Sequence, residues 1–297
     1  MLLPSAVRPG DPVTVIAPSG PFDVTHFNAG LNRLRQRYTV RMDDGVYACD
    51  GFLAGSDERR LSELNGALRE ENSRAILIAR GGYGLSRITP HADFAALRSW
   101  PKWIVGFSDA TVLHVEASRA GVASIHGPNV TGLGGEDEAQ WQAYCAHLEA
   151  PTAERTVTSL EVWQSGAAQG NLFGGNLSLL HSAAAAGRLD IPAGALLFIE
   201  EIGEAPYRID RMLTALLQAG VFNDVVGVVL GQFHNCEPGD YGVSAEAVVR
   251  ERLSSLTVPI VAGLQAGHGS PNLPLTFGIP ARITGDSIYF GSRAIQT

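Results

Sequence analysis

The chain has 297 residues, of which 45% are hydrophobic and 18% charged, and its formal net charge is −8. This length is enough for about two domains, each with its own core, and the composition is that of an ordinary globular protein. Binding to nucleic acid or to an anionic membrane surface rests on clusters of Lys and Arg. This acidic chain shows no such cluster in its sequence, which excludes both as partners.

The cysteines and the N-terminal residues exclude further classes of protein. Cys49, Cys145 and Cys236 are far apart and lack a C-x-x-C spacing, so we expect neither a disulfide framework nor a cysteine zinc site. Residues 1–9 lack the basic start and the long apolar stretch of a secretory signal, and no later segment approaches a membrane span. We therefore expect a cytoplasmic protein.

The first half of the chain alternates short apolar runs with amphipathic stretches. Residues 13–17 form a mostly apolar run and residues 75–79 a continuous one, both typical of buried strands, and residues 27–37 carry apolar side chains at helical spacing. Ser56 opens a second helix as its N-cap, with acidic residues in the first turn. The alternation predicts a parallel sheet covered on both faces, with ligands at the carboxyl ends of its strands.

Ser108 follows the apolar run 103–105 at the start of a helical pattern. A serine on a sharp strand-to-helix turn is an exposed nucleophile, and the next amide, that of Asp109, faces an oxyanion formed beside it. Gly106 matches the G-x-S-x-G elbow, whereas Ala110 stands where its second glycine is usual. From this turn alone, Ser108 is either a nucleophile or the cap of the following helix.

A glycine-rich turn, Arg-Gly-Gly-Tyr-Gly at residues 80–84, follows the predicted strand at 75–79. It lacks the G-x-G-x-x-G spacing and the lysine of a P-loop, so it is a poor phosphate cradle. Because glycine has no Cβ, Gly81 and Gly82 allow a second backbone amide to approach an oxyanion. The alternative is a tight exit from the strand without a chemical role.

The second half differs in texture from the first. The periodicity weakens over residues 149–169, which predicts an N-terminal domain at 1–148, a linker at 149–169 and a C-terminal domain at 170–297. This C-terminal part is mixed, with strands that need not all be parallel. Its predicted elements are a glycine-rich approach at 170–176 to a helix from 177, a strand at 195–199, a helix at 206–219 and a strand at 225–230.

A nucleophilic serine needs a base and a carboxylate that orients this base. Of the eight histidines, His268 lies in a loop rich in turn residues directly after an apolar run, and loops on rigid strands are where catalytic residues concentrate. His114, His147 and His181 are interpreted as packed or surface residues. A structural role for His268 is the alternative.

Glu200 and Glu201 end the apolar strand 195–199, although unpaired acids are rarely buried. Adjacent strand residues point to opposite faces, so only one of the two can orient His268. The alternative is that both are solvated charges at the end of the strand.

Several of these segments together resemble the LD-carboxypeptidases, the serine peptidases of murein tetrapeptide recycling. The resemblance covers nearly the whole chain, because the shared motifs occur in the family's order. The motifs are Ala17-Pro18-Ser19, 52–57 (Phe-Leu-Ala-Gly-Ser-Asp), 80–84, 106–114, His126-Gly127-Pro128, 174–177 (Gly-Gly-Asn-Leu), 200–211 and Gly267-His268-Gly269. Phe107 and Glu201 stand where the family commonly has Tyr and Asp, which are mild departures.

The resemblance implies a Ser-His-Glu triad of Ser108, His268 and Glu200, with the amides of Gly82 and Asp109 as the oxyanion hole. It also implies an α/β fold with an N-terminal Rossmann-like domain, which has a parallel sheet, and a C-terminal mixed α/β domain built around a small β-barrel-like sheet. No metal or organic cofactor is implied, and the expected assembly is a homodimer.

The implied activity is hydrolysis of the bond between the L-centre of a diamino acid, such as meso-diaminopimelate, and a terminal D-alanine. Asn176 and Arg208 are candidates for binding the substrate carboxylate. An alternative within the family is cleavage of acyl-sulfamoyl adenylates or peptidyl-nucleotide antibiotics in microcin immunity. Residues 267–277 contain no aromatic side chain before Phe277 and so give little sign of an adenine platform, which favours the murein peptide. A non-catalytic small-molecule-binding protein, with Ser108 as a cap, is the other alternative.

Overall fold

The structure, a computed structural model, describes residues 1–291 and 294. These residues form two compact units. The first unit contains residues 1–151 and 274–276, and the second contains residues 152–273 and the C-terminal residues from 277. Among the helices of the described residues, none combines the length and the apolar composition needed to cross a membrane.

The chain folds into alternating strands and helices. The strands are β1 (Pro12–Ile16), β2 (Thr39–Arg41), β3 (Ala75–Ile78), β4 (Trp103–Gly106), β5 (Ser124–His126), β6 (Arg155–Val157), β7 (Glu161–Gln164), β8 (Ala167–Asn176), β9 (Leu196–Ile202), β10 (Gly227–His234), β11 (Ile260–Ala262), β12 (Leu275–Phe277), β13 (Pro280–Thr284) and β14 (Ser287–Phe290). The α-helices are α1 (Val24–Arg37), α2 (Asp57–Arg69), α3 (Leu85–Ile88), α4 (Ala95–Ser99), α5 (Thr111–Arg119), α6 (Val130–Leu133), α7 (Glu138–Glu149), α8 (Leu177–Ala185), α9 (Pro206–Gln218) and α10 (Ala245–Leu253). Short 3-10 turns lie at Asp44–Tyr47, Thr89–His91, Ser108–Ala110 and Gly239–Tyr241.

The first unit is built on a six-stranded sheet with the order β12-β5-β4-β3-β1-β2. Its first five strands in the chain pair in parallel, which confirms the predicted parallel sheet. All residues of β3 and β4 are buried, as expected for strands covered on both faces. Because β3 and β4 are neighbours, the glycine turn 80–84 and the Ser108 turn leave the sheet side by side at its carboxyl edge.

The helix that begins after Ser56 has the predicted start. The Ser56 side chain accepts a hydrogen bond from the Arg59 amide, so that Ser56 is the N-cap of α2, and Asp57 and Glu58 occupy the first turn. An N-cap hydroxyl satisfies one of the unpaired amides of the first turn, and acids there interact favourably with the helix dipole. The sequence prediction for this helix is therefore confirmed.

The second unit is built on an eight-stranded sheet with the order β6-β14-β13-β8-β9-β10-β11-β7. The central strands β8, β9, β10 and β11 are parallel, and the outer strands pair antiparallel to their neighbours. This mixed sheet curls into a half-barrel, as the family resemblance implied. The glycine-rich residues 170–176 lie within strand β8, which then leads into α8.

The predicted linker, residues 149–169, contains strands as well as turns. After α7 ends at Glu149, the strands β6 and β7 form the two edges of the eight-stranded sheet, and β8 begins at Ala167. The residues of β6 and β7 are half-buried or exposed. Edge strands with little buried surface lack the apolar alternation by which strands are recognised in a sequence.

Candidate active site

Ser108 lies on a strained turn at the carboxyl end of β4. Its φ angle is +65°, a left-handed conformation that is uncommon for residues other than glycine. The preceding Phe107 is extended and its amide donates a hydrogen bond to Asn129 Oδ1 at 3.2 Å. A methyl group added at Gly106 would lie 2.9 Å from Asn129 Oδ1 and from Ile78 Cγ1, so only glycine fits there. This is the geometry of a nucleophile elbow.

The buried His114 supports this turn from α5. Its Nε2 lies 2.9 Å from the Gly106 carbonyl and its Nδ1 lies 2.9 Å from Ser124 Oγ. Since a carbonyl only accepts, Nε2 donates and Nδ1 accepts the serine hydroxyl proton. Burial lowers the pKa of His114 from 6.5 to about 4, which keeps the ring neutral at physiological pH. Of the two roles that the sequence left for His114, packed or surface residue, the structure shows the packed one.

The Asp109 side chain connects the Ser108 turn to the glycine turn. Its Oδ2 accepts a hydrogen bond from the Leu85 amide at 3.0 Å, at the start of α3, and burial raises the pKa of this carboxyl to about 6. Sequence reasoning assigned a role only to the Asp109 amide. The carboxylate contact was missed because its partner lies 24 residues away, where the sequence carries no sign of it.

The glycine turn packs directly on Ser108. A methyl group added at Gly81 would lie 2.8 Å from Ser108 Cβ and 2.9 Å from its Oγ, closer than real Cβ atoms approach. Gly82 has a φ angle of +98°, which glycine adopts without steric cost. Arg60 stabilises this turn: its side chain is fully buried and donates a hydrogen bond to the Gly84 carbonyl at 2.9 Å. The structure thus brings Gly82, Ser108 and Asp109 together in the first unit.

In the second unit, the structure brings together Glu200 and His268. His268 Nδ1 lies 2.7 Å from Glu200 Oε2, with the Glu200 side chain fully buried and that of His268 11% exposed. The His268 loop is fixed by two hydrogen bonds, from the Gly267 amide to Asn272 Oδ1 at 3.0 Å and from the Gly269 amide to Gln232 Oε1 at 2.8 Å. A buried carboxylate on Nδ1 fixes the tautomer and the orientation of the ring.

Glu201 points to the opposite face of β9 and has a different set of partners. Its Oε1 accepts from Asn176 Nδ2 at 2.9 Å, and its Oε2 accepts from the Ser178 amide at 2.8 Å and hydroxyl at 2.6 Å. Burial raises the pKa of Glu201, an effect that these hydrogen bonds oppose. Neither acid is a solvated charge, because both are buried, and it is Glu200 that contacts His268.

The two residues predicted to bind the substrate carboxylate have contrasting surroundings. Asn176 is 2% exposed and caps α8, with Oδ1 accepting from the Leu179 amide at 3.3 Å, while its amide nitrogen donates to Glu201. The Arg208 side chain is 57% exposed on α9 and lies 3.4 Å from Glu204 Oε2. Their role in substrate binding stays a prediction.

Three further residues with a positioning role were not predicted: Arg60 and Asn129 in the first unit and Gln232 in the second. Each uses a polar side chain to fix a main-chain atom of another segment. Such contacts join positions between 22 and 37 residues apart. Residue type alone does not predict these contacts, because Arg, Asn and Gln are mostly found on protein surfaces.

Comparison with known proteins gives the family of the chain. Sequence profiles of the LD-carboxypeptidase N-terminal and C-terminal domains match residues 13–127 and 169–283. A probable murein peptide carboxypeptidase of Bacillus subtilis is 35% identical over 288 residues, which cover 94% of this chain and 90% of the relative. The chain therefore belongs to the LD-carboxypeptidase family.

Solved structures show the same fold. The muramoyltetrapeptide carboxypeptidase from Oxalobacter formigenes matches with a TM-score of 0.83 and 27% identity, covering 95% of this chain and 99% of that protein. The Microcin C7 self immunity protein in complex with aspartyl sulfamoyl adenosine matches with a TM-score of 0.88 over 99% of both chains. At 21% identity, the second match concerns the fold alone.

Proposed function

We propose that this chain is a serine-type LD-carboxypeptidase that removes the terminal D-alanine from murein tetrapeptides. The bond cut joins this D-alanine to the L-centre of a diamino acid of the meso-diaminopimelate type. The single observation that carries the proposal is the Ser108 turn, with its φ angle of +65° and the glycine turn packed against its hydroxyl. The named relatives and the buried Glu200–His268 pair support it further.

In the proposed mechanism, His268 Nε2 takes the proton of Ser108 Oγ while the oxygen attacks the substrate carbonyl. Glu200 stabilises the imidazolium through Nδ1, and the amides of Gly82 and Asp109 donate hydrogen bonds to the oxyanion. His268 then gives its proton to the departing amine as the amide bond breaks. Water, deprotonated by His268, then attacks the acyl-enzyme ester; the bond to Ser108 Oγ breaks, this oxygen takes the proton back from His268, and the tripeptide leaves.

The test incubates purified protein with the tetrapeptide L-Ala-D-Glu-diaminopimelate-D-Ala and measures product masses. We expect loss of one alanine unit, and a rate lower by about 10⁴-fold or more in Ser108→Ala. Ser99→Ala is the matched control, because Ser99 is exposed at the end of α4. An unchanged tetrapeptide contradicts the proposal.

The same assay separates the alternatives. Cleavage of aspartyl sulfamoyl adenosine alongside an intact tetrapeptide would move the proposal to the immunity class of this family. A protein that binds a ligand equally well with serine or alanine at residue 108, and turns over neither substrate, would be a binding protein with Ser108 as a cap.

Location, physiological role and assembly are part of the proposal and rest on the family resemblance. We propose that the protein acts in the cytoplasm, in cell-wall recycling, as a homodimer with Asn176 and Arg208 near the substrate. Cell fractionation and light scattering of the purified protein test the first and the last of these points. A monomer at assay concentration would contradict the homodimer without affecting the chemistry.

A further inference from the structure

Arg80 begins the glycine turn that packs on Ser108. It lies two residues beyond the end of β3, and its side chain is exposed at the carboxyl edge of the sheet. The next residue, Gly81, approaches the Ser108 hydroxyl, and Gly82 carries one of the two amides proposed for the oxyanion hole. Arg80 is therefore a cation one residue away from the contact with the nucleophile.

The backbone around Arg80 fixes the position of its guanidinium. The NH1 nitrogen donates a hydrogen bond to the Pro21 carbonyl at 2.9 Å. A methyl group added at Gly20 would lie 2.8 Å from this nitrogen, and one added at Gly82 would lie 3.1 Å from it. The guanidinium thus rests against two glycines, one of which is Gly82 itself. A side chain held in this way is ordered before a substrate arrives, which lowers the entropic cost of binding.

The charge of Arg80 is not neutralised within the described part of the chain. Other arginines of the first unit are paired: Arg59 with Glu63 at 3.1 Å, and Arg87 with Asp57 at 2.8 Å. Among the ion pairs formed by residues 1–291 and 294, by contrast, none includes Arg80. A fixed, exposed and unpaired guanidinium beside an oxyanion hole is suited to binding an anion.

We propose that Arg80 binds the terminal carboxylate of the D-amino acid that leaves. This inference rests on the proposed function and identifies the residue that makes the enzyme a carboxypeptidase. In a substrate whose scissile carbonyl oxygen lies at the Gly82 amide, the terminal carboxylate belongs to the residue next to that carbonyl, and the Arg80 guanidinium lies against Gly82. Arg80 then has the role that the sequence analysis gave to Arg208, which forms an ion pair with Glu204.

The experiment compares the tetrapeptide with its C-terminal carboxamide, which has the same shape without the charge. In Arg80→Met we expect kcat/KM for the acid to fall about 100-fold, mostly through KM, because charge-assisted hydrogen bonds are lost. Hydrolysis of the carboxamide should stay within about twofold of the wild type. Arg80→Lys keeps the charge without the planar fork and should recover part of the loss.

Arg98→Met is the matched control. Arg98 is also exposed in the first unit and donates its NH1 to a backbone carbonyl, that of Ala120 at 3.2 Å, but it lies on α4 before strand β4. This variant should hydrolyse both substrates like the wild type. Thermal unfolding of each variant verifies that it is folded.

Two results would overturn the role of Arg80 while the proposed function stands. One is an equal fall for acid and carboxamide in Arg80→Met. The other is loss of the acid preference in Arg208→Met but not in Arg80→Met. If Arg80→Met fails to fold, the wild type decides alone, since equal kcat/KM for acid and carboxamide excludes a carboxylate-binding residue. A wild type that leaves the tetrapeptide intact refutes the proposed function and this inference with it.

Discussion

The Ser108 turn of the first unit and the Glu200–His268 pair of the second are positioned by different means. Ser108 is placed by its backbone, through a φ angle of +65° and the close approach of Gly81. The Glu200–His268 pair is placed by side-chain burial and by one contact of 2.7 Å between a carboxylate and a ring. The first arrangement should therefore be sensitive to added atoms, and the second to a change of charge.

The largest effect should come from Glu200→Gln, which keeps the shape of the side chain and removes its charge. We expect kcat to fall by about 10⁴-fold, because an amide no longer fixes the catalytic tautomer or stabilises the imidazolium. The measurement is steady-state hydrolysis of the tetrapeptide, together with a thermal unfolding curve to show that the variant is folded.

Glu201→Gln is the matched control, since it changes the adjacent acid on the opposite face of β9. It should leave kcat within about tenfold of the wild type and act mainly on stability, through the contacts of Glu201 with Asn176 and Ser178. Equal losses of kcat in the two variants would show that the Glu200–His268 contact does not serve catalysis.

Gly81→Ala tests whether the backbone of the glycine turn positions Ser108. The added methyl group would lie 2.8 Å from Ser108 Cβ, so the glycine turn or the serine must shift. We expect kcat/KM to fall by about 100-fold, because a displacement of about 1 Å at a reacting group costs that much. Hydrolysis of the tetrapeptide measures the effect.

Gly66→Ala is the control for this substitution. Gly66 is exposed within α2 and has open space around it, so alanine there should raise the free energy of unfolding by about 0.5–1 kcal/mol and leave activity unchanged. If Gly81→Ala is as active as Gly66→Ala, the glycine turn does not position Ser108.

The inner strands of the first sheet were predictable because they are largely buried, and every residue of β3 and β4 is buried. Apolar runs at 13–17 and 75–79, the first interrupted only by Thr14, identify β1 and β3, and Ser56 marks the start of α2 by its capping chemistry. The edge strands β6 and β7 were not predictable, because their residues are half-buried or exposed and carry no apolar period. Strand signals come from burial, and edge strands have little of it.

The candidate site was predictable only where the neighbouring residues in the sequence indicate the role of a side chain. The turn at Ser108 could be predicted because this serine lies between a strand and a helix. The end of β9 supplies two candidate acids, Glu200 and Glu201, and because adjacent strand residues point to opposite faces, only one of them can orient His268. Only the coordinates show that Glu200 contacts His268. The contacts of Asp109 with Leu85 and of Arg60 with Gly84 depend on tertiary packing, for which neither residue type nor spacing gives a signal.

The smallest effect concerns the pH dependence of stability and the histidine behind the Ser108 turn. The pKa of His114 is about 4 in the folded protein, against 6.5 for an unperturbed histidine. The unfolded chain therefore binds a proton first, and the stability that the neutral ring provides above pH 6.5 is lost as the pH falls toward 4. Between pH 7 and pH 5 this loss amounts to about 2 kcal/mol.

His114→Gln cannot take up this proton, so its free energy of unfolding should fall by about 2 kcal/mol less than that of the wild type between pH 7 and pH 5. Asp109 has a raised pKa of about 6 and an effect of opposite sign, but it is present in both proteins and cancels in the difference. Urea unfolding at the two pH values measures the change, with His26→Gln, at an exposed histidine of α1, as the control. Parallel pH profiles for wild type and His114→Gln would mean that His114 takes up its proton as readily in the folded protein as in the unfolded chain, so that burial does not keep the ring neutral.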